Sequence, residues 1–228
     1  WQEKNFFEEA WNYGFSLVQY YSLWGRDLQL NTEFFRTDFQ SQLVVDRESS
    51  LTHVILSSLS GKSYANSLQF DLRYQPVERF DVLLAYRFND TKQTIAGELK
   101  EIPLTSRYKG LINFNYSTNL KKWMFDYTLQ LNGGGRISRP GETLQNMIKI
   151  PDDYIEFQPY TVMNAQVTKY FRYWNIYLGA ENITDFMQPN PVEGAETPYN
   201  PGFDATNIWG PVAGRKIYIG VRFQLNYE

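Results

Sequence analysis

Residues 215–228 read RKIYIGVRFQLNYE, and every second residue from Ile217 is large and apolar: Ile217, Ile219, Val221, Phe223, Leu225 and Tyr227. Between them stand Tyr218, Gly220, Arg222, Gln224 and Asn226. Successive side chains of a strand point to opposite faces, so a period of two predicts a strand with one oily and one polar side. The alternation recurs from Trp123 (Phe125, Tyr127, Leu129, Leu131), from Phe80 (Val82, Leu84, Tyr86, Phe88) and from Tyr64 (Asn66, Leu68, Phe70, Leu72, Tyr74). A soluble sandwich and a membrane barrel both use such strands, so length and repetition must choose between them.

Nine strands are predicted, over residues 8–22, 28–45, 62–75, 80–91, 103–118, 122–133, 160–171, 174–182 and 215–226. Most exceed the about 5–6 residues usual in globular sheets and reach the about 9–11 that cross a bilayer at the tilt of a barrel. Their connections alternate in kind. Short ones fall at residues 23–27, 75–79, 119–121 and 172–173, and long ones at 46–61, 92–102, 134–159 and 183–214. Short turns on one rim and long loops on the other are the arrangement of outer-membrane barrels, with the short turns periplasmic. Aromatic residues near the strand ends, among them Trp11, Tyr86, Trp123 and Phe223, suit the bilayer interface.

Composition narrows the function classes. The chain has 228 residues, 43% apolar and 17% aromatic, and a formal net charge of −3, with no basic run that would point to a nucleic-acid partner. Cysteine is absent, which excludes disulfides and thiolate metal sites, and the single histidine, His53, leaves little material for a zinc site or a Ser-His-Asp arrangement. No stretch approaches the roughly 18–20 apolar residues of a membrane-spanning helix. The first residues, WQEKNFFEEAW, have neither an initiating Met nor a signal-peptide pattern, and read as a mature or truncated start or as a piece of a longer chain. An odd strand count supports the last of these, because bacterial up-and-down barrels close with an even number.

The tail from Gly179 to Phe223 carries a resemblance. A strand runs into Ala180, Glu181, Asn182, Ile183, Thr184 and Asp185, a long loop follows, and Trp209-Gly210-Pro211 and Gly214-Arg215 lead into the closing strand. This pattern resembles the C-terminal end of TonB-dependent outer-membrane receptors. The stretches SYANSLQFDLRYQPVERFDVLLAYRFND and PLTSRYKGLINFNYS are similar to inner barrel strands of the same family. The resemblance implies an all-β antiparallel transmembrane barrel of 22 strands, of which residues 1–228 are about nine C-terminal strands. It also implies an N-terminal plug that this sequence lacks, energy relayed by the inner-membrane TonB complex, and a place in the bacterial outer membrane. The ligand class stays open among siderophore, haem, cobalamin, metal complex and glycan.

Under that reading ligand contacts come from the long loops, and the residue types suited to them are Arg136, Arg139, Tyr154, Tyr199, Phe203 and Trp209. A stiff, proline-rich last loop could instead pack its aromatics on one another. Asp71, Arg73, Arg87, Asp126, Gln130, Gln166, Arg222 and Gln224 are expected to face the lumen. Asn132-Gly133-Gly134-Gly135-Arg136 reads as a flexible strand exit, because no helix follows to make a phosphate loop. His53 beside Ser57 and Ser58 is the single enzyme-like hint, and the chain is read as non-enzymatic and without cofactor or metal. Asp152, Asp153, Glu193, Glu196 and Asp204 fit no calcium-loop spacing. Two other readings stay open: a structural or adhesive outer-membrane barrel, and a soluble β-rich binding module whose oily faces pack on each other.

Overall fold

The computed structural model describes residues 7–50, 53–138, 156–199 and 203–223. Its strands are β1 (Glu9–Leu23), β2 (Arg26–Ser41), β3 (Leu43–Asp46), β4 (Ile55–Ser58), β5 (Ser63–Val77), β6 (Phe80–Ile95), β7 (Glu98–Glu101), β8 (Tyr108–Ser117), β9 (Trp123–Asn132), β10 (Gly135–Arg136), β11 (Glu156–Phe157), β12 (Tyr160–Tyr170), β13 (Trp174–Glu181) and β14 (Lys216–Phe223). The nine long ones form one sheet in the order β1-β2-β5-β6-β8-β9-β12-β13-β14, each antiparallel to its neighbour. Among the described residues β1 and β14 have one neighbour each, so the sheet is open, a segment of wall.

Register assigns the two faces. Cross-strand partners share a face, and the row Leu30, Leu72, Leu84, Ile112, Leu129, Met163 is apolar throughout. Nearer the short turns, Ile219, Leu178, Val167, Phe125 and Tyr116 form a second such row. Among the described residues nothing packs on this face: Ile219 is 74% exposed and Trp11 68%. The soluble module expected its oily faces to pack together, and among the described residues they do not. The buried apolar side chains among these residues are Val44, Ile95, Ile137 and Phe157, none of them on the oily face and all four in or beside the short strands of the long-loop rim.

The oily band has limits. On β6 the outward positions Phe80, Val82, Leu84, Tyr86 and Phe88 give way to Asp90 and Lys92. Eight steps of about 3.3 Å make roughly 26 Å along the strand, or about 20 Å along the membrane normal at a barrel's tilt. Beyond it Arg36, Asn66 and Asp90 form one polar row, with Arg36 Nη1 donating to Asn66 Oδ1 at 3.1 Å and Asn66 Nδ2 to Asp90 Oδ2 at 3.2 Å. The wall therefore rises above the band on the β1–β6 side.

Turns set the hairpins. Trp24 and Gly25 join β1 to β2 at φ 53° and 70°, and Ala96 and Gly97 join β6 to β7 at φ 49° and 84°, the two positive values that a tight primed turn requires. Three predicted boundaries move by four residues or more, and the strand expected over 80–91 runs on to Ile95 to pair with β7. The strand expected over 28–45 stops at Ser41, because Gln42 Oε1 accepts from Ser63 Oγ and from Gln93 Nε2, both at 2.8 Å, and the chain then restarts as the separate β3–β4 hairpin. The strand expected from residue 103 begins at Tyr108, since Pro103 carries no N–H and Leu104, at φ 58°, donates its N–H to Arg136 O at 2.8 Å instead.

Candidate functional site: the loop rim and the polar face

All long connections leave from one end of the sheet, and side chains tie them together. Glu48, just past β3, lies 2.6 Å from Arg136 Nη2 on β10 and 3.3 Å from Lys100 Nζ on β7. Three loops thus meet at one buried carboxylate. Burial pushes the nearby Asp46 carboxyl up, but hydrogen bonds from the Ser49 hydroxyl and from the Glu48 and Ser49 N–H groups outweigh it and hold it below the usual range. A second node is Arg107, which donates through Nε to Glu101 Oε2 at 3.0 Å and through Nη1 to Glu156 Oε2 at 3.1 Å. Glu156 and then Glu101 raise the Arg107 guanidinium, and Arg107 in turn depresses the Glu156 carboxyl.

Aromatic rings close the other side of the rim. Tyr160 and Phe186 stack at 4.8 Å, Phe157 and Trp209 at 5.3 Å, and Tyr160 and Trp209 approach to 5.7 Å. Gln188 is buried within the last loop: its Oε1 accepts from Trp209 N at 2.8 Å and Gly210 N at 3.0 Å, and its Nε2 donates to Asn207 O at 2.8 Å. The exit of β13 is latched to the entry of β14. Asn182, at φ 50°, donates to Phe186 O at 2.7 Å and Ala213 O at 3.2 Å, while Asp185 Oδ1 accepts from Arg215 N at 2.7 Å.

The polar face is the complement of the oily one. Asp71, Arg73, Arg87, Asp126, Gln130, Gln166 and Arg222 all occupy it by register, as expected, and Gln224 lies outside the described residues. Toward its end the wall is flattened by reciprocal pairs. Tyr177 lies over Gly220 and Tyr218 over Gly179, where a Cβ would come within 2.2 and 2.3 Å of the ring carbons. Tyr218 reaches on across the wall to donate to Gln166 Oε1 at 3.0 Å.

A family model described as TonB dependent receptor-like, beta-barrel matches residues 7–183. The chain belongs to this family. Its fold is similar to that of the copper transporter OprC, with a TM-score of 0.68 at 13% identity over 95% of this chain and 31% of that one. The siderophore receptor PiuA from Acinetobacter baumannii gives a TM-score of 0.56 at 14% identity, covering 95% and 28%. The FrpB iron transporter from Neisseria meningitidis gives 0.59 at 10%, covering 95% and 30%. The chain spans under a third of the length of each. No curated protein matches it by sequence. Membership in this barrel family assigns the oily face to the lipid of the bacterial outer membrane and the polar face to the lumen.

Within this TonB-dependent barrel the expected loop residues have different settings. Tyr199 is fully exposed and Phe203 is 42% exposed. Trp209 belongs to the aromatic stack, as the self-packing alternative anticipated. Arg136 is 9% exposed and engages Glu48, so the chain itself uses its guanidinium. Arg139 and Tyr154 lie outside the described residues, as do Asp152 and Asp153. Asp204 turns its carboxylate onto Thr206 and Asn207. The glycine run expected as a flexible exit is instead packed. A Cβ on Gly135 would lie 2.3 Å from Thr105 O and one on Gly134 2.6 Å from Phe157 O, so these glycines let β10 and β11 close against the β7–β8 loop. Ser57 and Ser58 pair with β3 inside β4. Sequence reasoning did not single out Glu48, Lys100 or Gln188. Their type is ordinary in a loop, and their burial arises from contacts between loops far apart in the chain.

Proposed function

We propose that residues 1–228 form the C-terminal wall and outer loops of a 22-stranded, plugged receptor that imports a scarce ligand with energy from the TonB complex. The observation that carries the reading is the combination of a lipid-facing oily band, a polar lumen and long loops cross-tied at one rim. A rim built in this way holds exposed side chains in fixed positions above a lumen, which suits capture more than catalysis. The named neighbours transport copper or iron or receive a siderophore, which favours a metal complex over haem, cobalamin or glycan. Tyr199 and Phe203, both exposed in the last loop, are the first candidates to meet it, with Arg139 and Tyr154 as further candidates. Arg136 and Trp209 would position these contacts rather than make them.

The test is uptake. A strain deleted for the natural gene is complemented with wild type or with Tyr199→Ala/Phe203→Ala, and accumulation of radiolabelled iron and copper chelates is followed under metal limitation. Complementation should restore uptake of one of them, loss of TonB should abolish it, and the double variant should lower apparent affinity at unchanged surface level. Adhesion to host or matrix surfaces with no TonB-dependent uptake of any chelate would instead favour a structural or adhesive barrel.

A further inference from the structure

Arg87 and Lys109 are direct cross-strand partners on the lumenal face of β6 and β8. Like charges placed opposite one another destabilise a sheet. Other cations are partnered differently: Arg36, Lys100, Arg107 and Arg136 each meet a carboxylate, and Lys169 lies 4.4 Å over the Trp123 ring. Among the described residues neither Arg87 nor Lys109 forms an ion pair.

Arg87 is nevertheless held in place. Its Nε donates to Gln69 Oε1 at 2.8 Å, and Gln69 Nε2 donates to Asp71 Oδ2 at 2.8 Å, so the amide fixes the guanidinium without neutralising it. In the adjacent row Ala85 and Leu111 stand where longer polar side chains would fill the space. The result is a pit of about 260 Å³ whose polar lining is Gln69, Arg87, Lys109, Gln130 and Asn132 and whose remaining lining is largely apolar, Ala85 and Leu111 included. Two exposed cations, one pre-oriented, face a void bordered by the amides of Gln69, Gln130 and Asn132 and by apolar side chains, with the Asp71 carboxylate turned onto Gln69 beyond it.

We propose that this pit seats an oxyanion, a carboxylate or phosphate group, between the Arg87 guanidinium and the Lys109 ammonium. The guanidinium fork presents paired donors that match either group, and the ammonium adds a point charge from the other side. Binding there removes the like-charge repulsion, so an anion that occupies the pit also stabilises the wall. The anion comes from one of two sources: a small anionic ligand passing along the lumen, or a carboxylate of whatever protein segment fills it. The inference rests on the assignment of this face to the lumen. Its test needs no transport, so a failed uptake assay and a failed anion site are separate results.

The natural receptor containing this chain is purified in detergent and melted in chloride, inorganic phosphate or citrate at equal ionic strength. For a free ligand site, phosphate or citrate raises the melting temperature of wild type, Arg87→Gln and Lys109→Gln lose that rise, and Lys216→Gln, a cation on the same face, keeps it. For an internal carboxylate, the crystal structure of the receptor places an Asp or Glu between the two cations, and both variants melt lower than wild type in chloride. Either pattern supports the proposal and names the source. Equal responses of wild type and both variants to every anion, with no anion or carboxylate between Arg87 and Lys109 in the crystal structure, would overturn it.

Discussion

Glu48 Oε2 sits 2.6 Å from Arg136 Nη2, with 4% and 10% of the two side chains exposed, and the pair joins the β3–β4 hairpin to β10 across the top of the wall. Removing one member of a buried ion pair strands the other and costs about 3–5 kcal/mol, whereas replacing both with apolar residues costs far less. Glu48→Gln or Arg136→Met should therefore release the loops: hydrogen exchange across residues 43–58 and 98–101 rises strongly, with β5 and β6 unchanged. The double variant Glu48→Leu/Arg136→Met should recover much of the protection. If exchange in these segments is the same in wild type and Glu48→Gln, the pair is not what holds the rim.

Acid should open the rim from another side. The Glu156 and Asp46 carboxyls have depressed folded-state values, Glu156 through Arg107 and Asp46 through hydrogen bonds that overcome its burial. A depressed carboxyl contributes stability above its unfolded value, about 4.3 for Glu and 3.9 for Asp, and that stability is lost as pH falls through the folded value. The loops should stay closed from pH 8 to about 5 and loosen below about 4. Since the chain has no cysteine, a spin label on Ser138→Cys reports on the end of β10 directly. Its spectrum should become more mobile below about pH 4, and in an Arg107→Gln background it should already be mobile at neutral pH. A spectrum constant from pH 7 to 3 would refute the role of Arg107.

Strand existence and facing were legible because one-residue alternation leaves little choice of face once one side is oily. The rim was less legible. The end of β2 depends on Gln42 meeting Ser63 and Gln93, residues of two other strands. Likewise β10 becomes a strand through its pairing with β11 and the close approach of Gly135 to Thr105. For the site, sequence supplied suitable residue types without their direction. Trp209 turns inward because Gln188 captures its backbone N–H and Phe157 and Tyr160 offer rings, while Tyr199 has no such neighbour among the described residues and stays outside.

The two faces should respond oppositely to charge. Leu129 lies in the middle of the oily row between Ile112 and Met163, and Ile219 pairs with Leu178. Arginine at a lipid-facing midplane position costs about 2–4 kcal/mol. Leu129→Arg should lower the surface level of the receptor and slow its folding into vesicles, Ile219→Arg, in the row nearer the short turns, should do so less, and Gln130→Arg, one residue from Leu129 on the lumenal face, should do neither. Equal surface levels for Leu129→Arg and Gln130→Arg would abolish the face assignment, and a lower level for Gln130→Arg would reverse it.

The latch at Asn182 decides how the last strand is seated. Its side-chain oxygen accepts from Phe186 N at 3.1 Å and Thr184 Oγ1 at 3.0 Å, and its amide reaches Ala213 O, three residues before β14 begins. The residue also sits at a positive φ, where asparagine and glycine are tolerated better than other side chains. Asn182→Ala loses both the hydrogen bonds and the backbone preference, while Asn182→Gly loses only the bonds. With each buried bond worth about 0.5–1.5 kcal/mol net, both variants should raise hydrogen exchange in residues 213–223, alanine more than glycine. Asp185→Asn, which keeps an oxygen for the Arg215 N–H, should be mild. The informative comparison is alanine with glycine: equal exchange would assign the latch to hydrogen bonding alone, and greater loss in alanine would show that the left-handed backbone at Asn182 helps to set the register of β14.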